Sequence, residues 1–112
     1  MKLALTGYSV VSAHGVGRGP WESALRADAD LAAAAFSPTS KVAPGHRVAE
    51  VWNWNAAAHL GAKGHRTFDR LTKFLIAAAK SALVDAGIKR DGEFLHEGLG
   101  TYDVGVCSAT AY

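Results

Sequence analysis

The chain has 112 residues, of which 49% are hydrophobic and 20% charged, a composition typical of one globular domain rather than of a disordered segment. Its formal net charge of +2 is scattered, and no stretch alternates Lys and Arg with aromatic residues, which argues against a nucleic-acid partner. No segment is apolar for the length of a membrane span, so we expect no membrane partner either.

The beginning of the chain and its cysteine content indicate the compartment. The N-terminal run MKLALTGYSVVSAHG is interrupted by Thr6, Gly7 and Ser9, unlike the continuous apolar core of a secretory signal. The single cysteine, Cys107, cannot form an internal disulfide, which suits a reducing environment. We therefore expect a soluble, cytoplasmic protein in which residues 1–112 form one domain without an internal boundary.

The first predicted element is a buried strand. Residues 3–6 and 10–12 are short, apolar and partly β-branched, and they bracket Gly7, where the strand should bend or bulge. A glycine-rich loop follows and leads into a short helix over residues 20–27, with Pro20 in its first turn.

The glycine-rich loop has the chain order of a phosphate-binding loop but not its spacing. Gly15, Gly17 and Gly19 give GxGxG rather than GxGxxG, no GKS or GKT follows, and Pro20 lacks an N–H group that a phosphate would use. A plain turn is the favoured interpretation. The nearby serines do not sit in a GxSxG elbow, so no serine nucleophile is expected.

Residues 28–47 are rich in alanine and then in Ser, Thr, Pro and Gly, which predicts a surface insertion without its own core. Trp52 and Trp54 follow, and on an extended chain their rings face the same side. They could stack against a sugar or a base, but packing against the next helix is the favoured interpretation.

A small basic cluster precedes that helix. Lys63, His65 and Arg66 lie in the glycine-containing segment just before the helix start, where they form either a solvated face or a contact for an anionic partner. The five histidines of the chain include no HExxH pair and have no cysteine at ligand spacing, so no metal site is predicted.

The strongest prediction is a central helix over residues 67–86. An apolar stripe recurs at steps of three and four residues and is expected to be buried, whereas Lys80 falls on the opposite, solvated face; the stripe consists of Phe68, Leu71, Leu75, Ala78 and Ala82. Gly87 and Ile88 predict a Schellman end, with Ile88 folding back to Leu83.

The last predicted element is a second strand. Residues 89–100 are charged and rich in turn formers, and residues 102–108, YDVGVCS, return to a strand pattern in which Cys107 is expected to be a packing residue. Strand, helix and strand in this order predict a βαβ unit, with parallel strands and a right-handed crossover.

Four segments together resemble the β-ketoacyl synthases. LTGYSVVSAHGVGRGPWESAL, residues 5–25, resembles the opening TGxGVVSPLG-like strand, loop and WxAL helix of that family. AEVWNWN resembles its AGEVPDFD stretch, FDRLTKFLIAAAKSALVDAG its MDRFTQFALAAAREALEDAG helix, and the final VGVCSATAY its VGVVVGSGIGG strand and loop. The segments follow one another in the family order and cover nearly the whole chain.

The resemblance implies an α/β, partial thiolase-like fold with layered helices and sheet: an N-terminal strand, a short helix, a long loop, a central helix and a strand. The family carries out decarboxylative Claisen condensation on acyl-carrier-protein substrates, as dimers, with one cysteine and two histidines and without a cofactor. Those catalytic motifs lie beyond this chain, and Cys107 corresponds to an ordinary strand residue. The implied partners are the acyl carrier protein and the remaining ketosynthase portion or a ketosynthase-like subunit.

The departures from the family pattern carry the site predictions. SATAY replaces the family's glycine-rich GSGIGG-like loop, and Tyr112 falls at a position that lines the acyl pocket near the dimer interface. This substitution hints at a non-catalytic chain-length-factor relative that shapes the tunnel of a partner. Lys63 and Arg66 are the predicted carrier-protein contacts. An independent small α/β interaction module is the alternative of another class.

Overall fold

The computed structural model describes residues 1–27, 49–51 and 54–108, and every statement below refers to them. They form a small mixed α/β arrangement, in agreement with the predicted class. In chain order the elements are strands β1 (Val11–Ser12) and β2 (Gly15–Val16), helices α1 (Arg18–Arg26), α2 (Ala56–Leu60) and α3 (Arg70–Asp85), strands β3 (Lys89–Arg90) and β4 (Glu93–Phe94), and a 3₁₀ turn over Thr101–Asp103.

Helix α3 is the longest element, and both of its ends follow from local chemistry. The Asp69 carboxylate accepts a hydrogen bond from the Thr72 N–H at 2.6 Å, which caps the first turn and holds the pKa of Asp69 below its ordinary value. At the other end Ile88 N–H donates to the Leu83 carbonyl at 2.9 Å, while Gly87 takes a φ of 68°. The predicted Schellman end is therefore confirmed, and the helix begins three residues later than predicted.

The buried face of α3 is not the predicted stripe. Ala77 is only 2% exposed, whereas Phe68, Leu71 and Leu75 of the stripe are 41%, 55% and 44% exposed. The N-terminal segment and α2 both contact α3, and Ala77 is rotated by roughly 140° from the centre of the stripe at 100° per residue. The expectation that the stripe is the inward face is thus wrong for the described chain.

The N-terminal strand is shorter than predicted and pairs locally. Val11 is opposite Val16 and Ser12 opposite Gly15 in an antiparallel hairpin, and the Gly17 N–H donates to the Val10 carbonyl at 2.9 Å. Residues 1–6 form no strand and are exposed. Of the three glycines, Gly15 lies in β2, Gly17 joins the hairpin to α1 and Gly19 lies in α1, in keeping with the turn interpretation.

The predicted parallel pair around α3 is absent from the part of the chain that the structure describes. Both sheets there are two-stranded antiparallel hairpins, β1 with β2 and β3 with β4, and residues 104–108 pair with neither. Parallel strands are stable mainly inside a sheet covered on both faces, which these elements do not supply. The strand expected at residues 102–108 is therefore a wrong prediction for the described chain.

One close backbone contact fixes the N-terminal segment on α3. A β-carbon at Gly7 would lie 2.7 Å from the Cα of Ala86, so only a residue without a side chain fits there. Farther along, a β-carbon at Gly17 would lie 3.4 Å from the Ser81 hydroxyl oxygen. The segment from Gly7 to Gly17 thus runs along the C-terminal half of α3.

Candidate functional site

The N-terminal half of α3 carries an aromatic cluster that supports the preceding segment. Trp54 meets Phe74 edge to face, with ring centroids 4.8 Å apart and an interplanar angle of 81°. The same indole stacks on His59 of α2, with centroids 5.9 Å apart and rings 4° from parallel. Trp54 is therefore a packing residue, as the favoured interpretation held, and Trp52 lies outside the described residues.

Two basic side chains tie this cluster to α3. Lys80 is exposed, as predicted, and also donates from Nζ to the His59 carbonyl at 3.1 Å. The Arg70 guanidinium lies 5.1 Å from the centre of the Phe74 ring and also donates to the Val51 carbonyl. Arg70 and Lys80 lie almost three turns apart on α3, so one holds the segment before α2 and the other the C-terminal end of α2.

The segment of residues 61–66, here called the basic loop, projects from this support. Gly61 ends α2 with a φ of 96°, Gly64 turns the chain again with a φ of 87°, and His65 Nε2 lies 2.8 Å from the Gly61 carbonyl oxygen. The loop leaves Lys63 and Arg66 exposed, and neither forms a salt bridge within the described ranges. The structure thus brings the two predicted carrier-protein contacts onto one short exposed turn.

The densest polar cluster lies elsewhere, between α1 and the C-terminal end of α3. Glu22 accepts hydrogen bonds from the Tyr8 hydroxyl at 2.7 Å, from Arg18 Nε at 2.6 Å and from an Arg26 amino group at 3.0 Å. Asp85 accepts the Tyr8 backbone N–H at 3.0 Å and lies 3.6 Å from the Arg18 guanidinium. We call Tyr8, Arg18, Glu22 and Asp85 the polar clamp.

The electrostatics of the polar clamp are those of a structural cross-link. The hydrogen bond from Tyr8, followed by that from Arg18, lowers the pKa of Glu22, and the hydrogen bond to Glu22 raises the pKa of the Tyr8 phenol. Glu22 is therefore a poor general base, because a lowered pKa weakens its affinity for a proton. Sequence reasoning missed this cluster. The Arg18–Glu22 and Glu22–Arg26 pairs have a readable i,i+4 spacing, but the bonds from Tyr8 to Glu22 and Asp85 span 14 and 77 positions and have no local signal.

Two site predictions remain, for Cys107 and for Tyr112. Cys107 is exposed, so the expectation of a packed strand residue is wrong. Tyr112, the predicted acyl-pocket residue, lies outside the described residues. In the portions that the structure describes, no group of three or more His, Cys, Asp or Glu side chains could hold a metal ion.

Among the described residues, none of the helices combines the length and apolarity that crossing a bilayer requires. No protein-family model, no curated protein and no solved structure matches the chain significantly.

Proposed function

We propose that this chain is the N-terminal part of a β-ketoacyl synthase-like protein of fatty-acid or polyketide biosynthesis. The complete assembly catalyses decarboxylative Claisen condensation on acyl-carrier-protein substrates, and this part is not catalytically competent by itself. It works without a cofactor, in a cytoplasmic dimer with the remaining ketosynthase portion or with a ketosynthase-like subunit. The resemblance of four segments in family order is the observation that carries the proposal.

The burial pattern supports a polypeptide that needs a partner. Among the described residues only Gly17 and Ala77 are buried, although a domain of this length normally encloses a core. Large hydrophobic side chains are exposed instead along the stripe of α3, where Leu71 and Leu75 are 55% and 44% exposed. An exposed apolar stripe on the longest helix is what a layered fold leaves when the adjacent layer is supplied by further polypeptide.

The decisive experiment reads the coding sequence downstream of Tyr112 and then supplies the polypeptide that it encodes. A cysteine in a TACxxS-like setting and two histidine motifs in that sequence support the synthase, and the assembled protein should then condense acyl and malonyl carrier-protein substrates. Residues 1–112 alone should show no turnover. Turnover by the isolated chain that disappears in Cys107→Ser would overturn the assignment.

The chain-length-factor relative is the second candidate, favoured by one feature of the sequence. Tyr112 and the SATAY segment stand where the resembled enzymes carry a small-residue loop, and a bulky ring there would shorten the acyl pocket. A residue other than cysteine in the downstream TACxxS-like position would support this candidate and exclude the synthase.

The independent interaction module is the candidate of a different class. It requires that the chain fold as a monomer with one cooperative unfolding transition. The exposed stripe of α3 argues against it. A monomeric chain by light scattering, with a sharp urea transition, would favour the module over both ketosynthase candidates.

The basic loop is the proposed contact for the acidic surface of the carrier protein. Lys63 and Arg66 are exposed on a short turn that a hydrogen bond between His65 and the Gly61 carbonyl closes, so their charges are accessible to a partner. Lys63→Glu with Arg66→Glu in the assembled protein should weaken carrier-protein binding by roughly threefold to tenfold and flatten its salt dependence. Lys2→Glu, a charge reversal at an exposed position outside the loop, should leave the carrier-protein affinity measured by titration calorimetry unchanged. An equal loss of affinity in the two proteins would refute the contact.

A further inference from the structure

The hairpin that follows α3 ends in a two-residue turn with unusual backbone geometry. Arg90 pairs with Glu93 and Lys89 with Phe94, which leaves Asp91 and Gly92 as the turn itself. Asp91 has a φ of 52° and Gly92 a φ of 91°, the positive values that a type I′ hairpin turn requires. Both residues are exposed.

The carboxylates of the other described aspartates are held by hydrogen bonds. Asp69 accepts the Thr72 N–H at 2.6 Å, and Asp103 accepts the Gly100 N–H at 2.7 Å. Asp85 accepts the Tyr8 N–H at 3.0 Å and faces Arg18. These three carboxylates are therefore engaged by other groups and have less freedom to turn toward the next peptide nitrogen.

Asp91 differs from these three aspartates both in its side-chain carboxylate and in the backbone nitrogen of the residue that follows it. Within the described ranges its carboxylate makes no hydrogen bond or ion pair, and the Gly92 N–H donates no hydrogen bond either. Gly92 also has no β-carbon, so nothing shields its nitrogen, whereas Asp69, Asp85 and Asp103 precede residues that carry side chains.

We propose that Asp91 is a site of spontaneous isoaspartate formation in the folded chain. The Gly92 nitrogen attacks the Asp91 Cγ, a C–N bond forms, and the amide proton leaves with the carboxyl hydroxyl as water. The product is a five-membered succinimide. Solvent water then opens the ring: attack at the Cα-bound carbonyl gives isoaspartate, attack at Cγ returns aspartate, and no oxidant or reductant takes part.

The modification reaches the end of α3 through the hairpin. Isoaspartate adds one methylene to the main chain, which a two-residue turn cannot absorb while Arg90 and Glu93 stay paired. The ammonium of Lys89 lies 4.6 Å from the centre of the Phe94 ring, and Leu95 N–H donates to the Ile88 carbonyl at 2.9 Å. Because Ile88 also closes the Schellman end of α3, the loss of register loosens the helix terminus.

Incubation of the full chain in heavy-oxygen water at neutral pH tests the proposal. Cleavage after lysine releases a peptide that begins at Arg90, and electron-transfer fragmentation locates isoaspartate and the incorporated heavy oxygen. We expect both at Asp91 and neither at Asp69, Asp85 or Asp103. Asp91→Glu, which would need a less favourable six-membered ring, should abolish the signal.

A parallel incubation in urea separates the role of the fold from that of the dipeptide. The folded chain should react at Asp91 at a rate comparable to that of the unfolded chain, while unfolding should raise the rates at the three hydrogen-bonded aspartates. Isoaspartate at Asp91 that forms only in urea, or isoaspartate in the folded chain that is spread evenly over Asp69, Asp85, Asp91 and Asp103, would overturn the proposal.

Discussion

At the scale of single residues, Gly7 makes the tightest contact between the N-terminal segment and α3. Gly7→Ala would place a β-carbon 2.7 Å from the Ala86 Cα, so the segment must shift, and we expect a loss of about 1–3 kcal/mol in the free energy of unfolding. Gly19→Ala is the matched control, because its β-carbon would meet no atom within 4 Å. That change lies in α1 and should be neutral or stabilising by up to about 1 kcal/mol. Urea titration followed by circular dichroism measures both, and equal effects would contradict the contact.

Glu22 gives the polar clamp a pH dependence whose sign follows from its hydrogen bonds. The Tyr8 hydroxyl, and then Arg18, hold the pKa of Glu22 below its value in the unfolded chain. The resulting stabilisation is fully present above the unfolded value of about 4.3 and is lost as the pH falls through the lower, folded value. Wild type should therefore lose more stability on acidification than Glu22→Gln, in urea midpoints measured from neutral pH downward. Identical acid dependence in the two proteins would exclude Glu22 as a contributor.

At the scale of elements, α3 presents its inward face at Ala77, which is 2% exposed. Ala77→Leu should overpack this face and cost about 1–3 kcal/mol. Ala58→Leu, at an exposed position of α2, should change stability by less than about 0.5 kcal/mol. The urea midpoints of the two variants decide between the observed face and the stripe that the sequence favoured. A neutral Ala77→Leu would restore the stripe as the buried side.

The same helix shows why the sequence predicts its C-terminal end better than its buried face. Gly87 and Ile88 specify the C-terminal cap through local geometry, and Asp69 was a readable N-cap signal for the true start. Phe74 and Ala77, by contrast, form a second apolar row at helical spacing, and periodicity alone cannot choose between two apolar rows of one helix. The choice depends on where the N-terminal segment and α2 arrive, which is a tertiary property.

The candidate site likewise contains features that local sequence predicts and features that depend on tertiary contacts. The exposure of Lys63 and Arg66 was predictable because Gly61 and Gly64 mark a turn, and the packing of Trp54 was predictable from its large apolar ring. The strands expected at residues 3–6 and 102–108 were not settled by their composition, since a strand needs an adjacent strand to pair with. No local pattern could have joined Tyr8 to Asp85.

At the scale of the whole molecule, the proposed function requires that the exposed stripe of α3 become an interface when the proposed partner polypeptide is supplied. Leu75 is 44% exposed in this chain, so Leu75→Lys should leave the stability of the isolated polypeptide nearly unchanged. Burying a leucine is worth about 1.5–3 kcal/mol, so the same change should weaken assembly about tenfold or more.

The control for this prediction is Leu25→Lys in α1, where the side chain is 53% exposed and lies outside the stripe. It should assemble as wild type does in light-scattering titrations of the two polypeptides. If Leu25→Lys and Leu75→Lys weakened assembly equally, general loss of apolar surface would explain the effect. If neither did, the layer that covers this chain would have to rest on another face, and the proposed thiolase-like layering around α3 would lose its physical support.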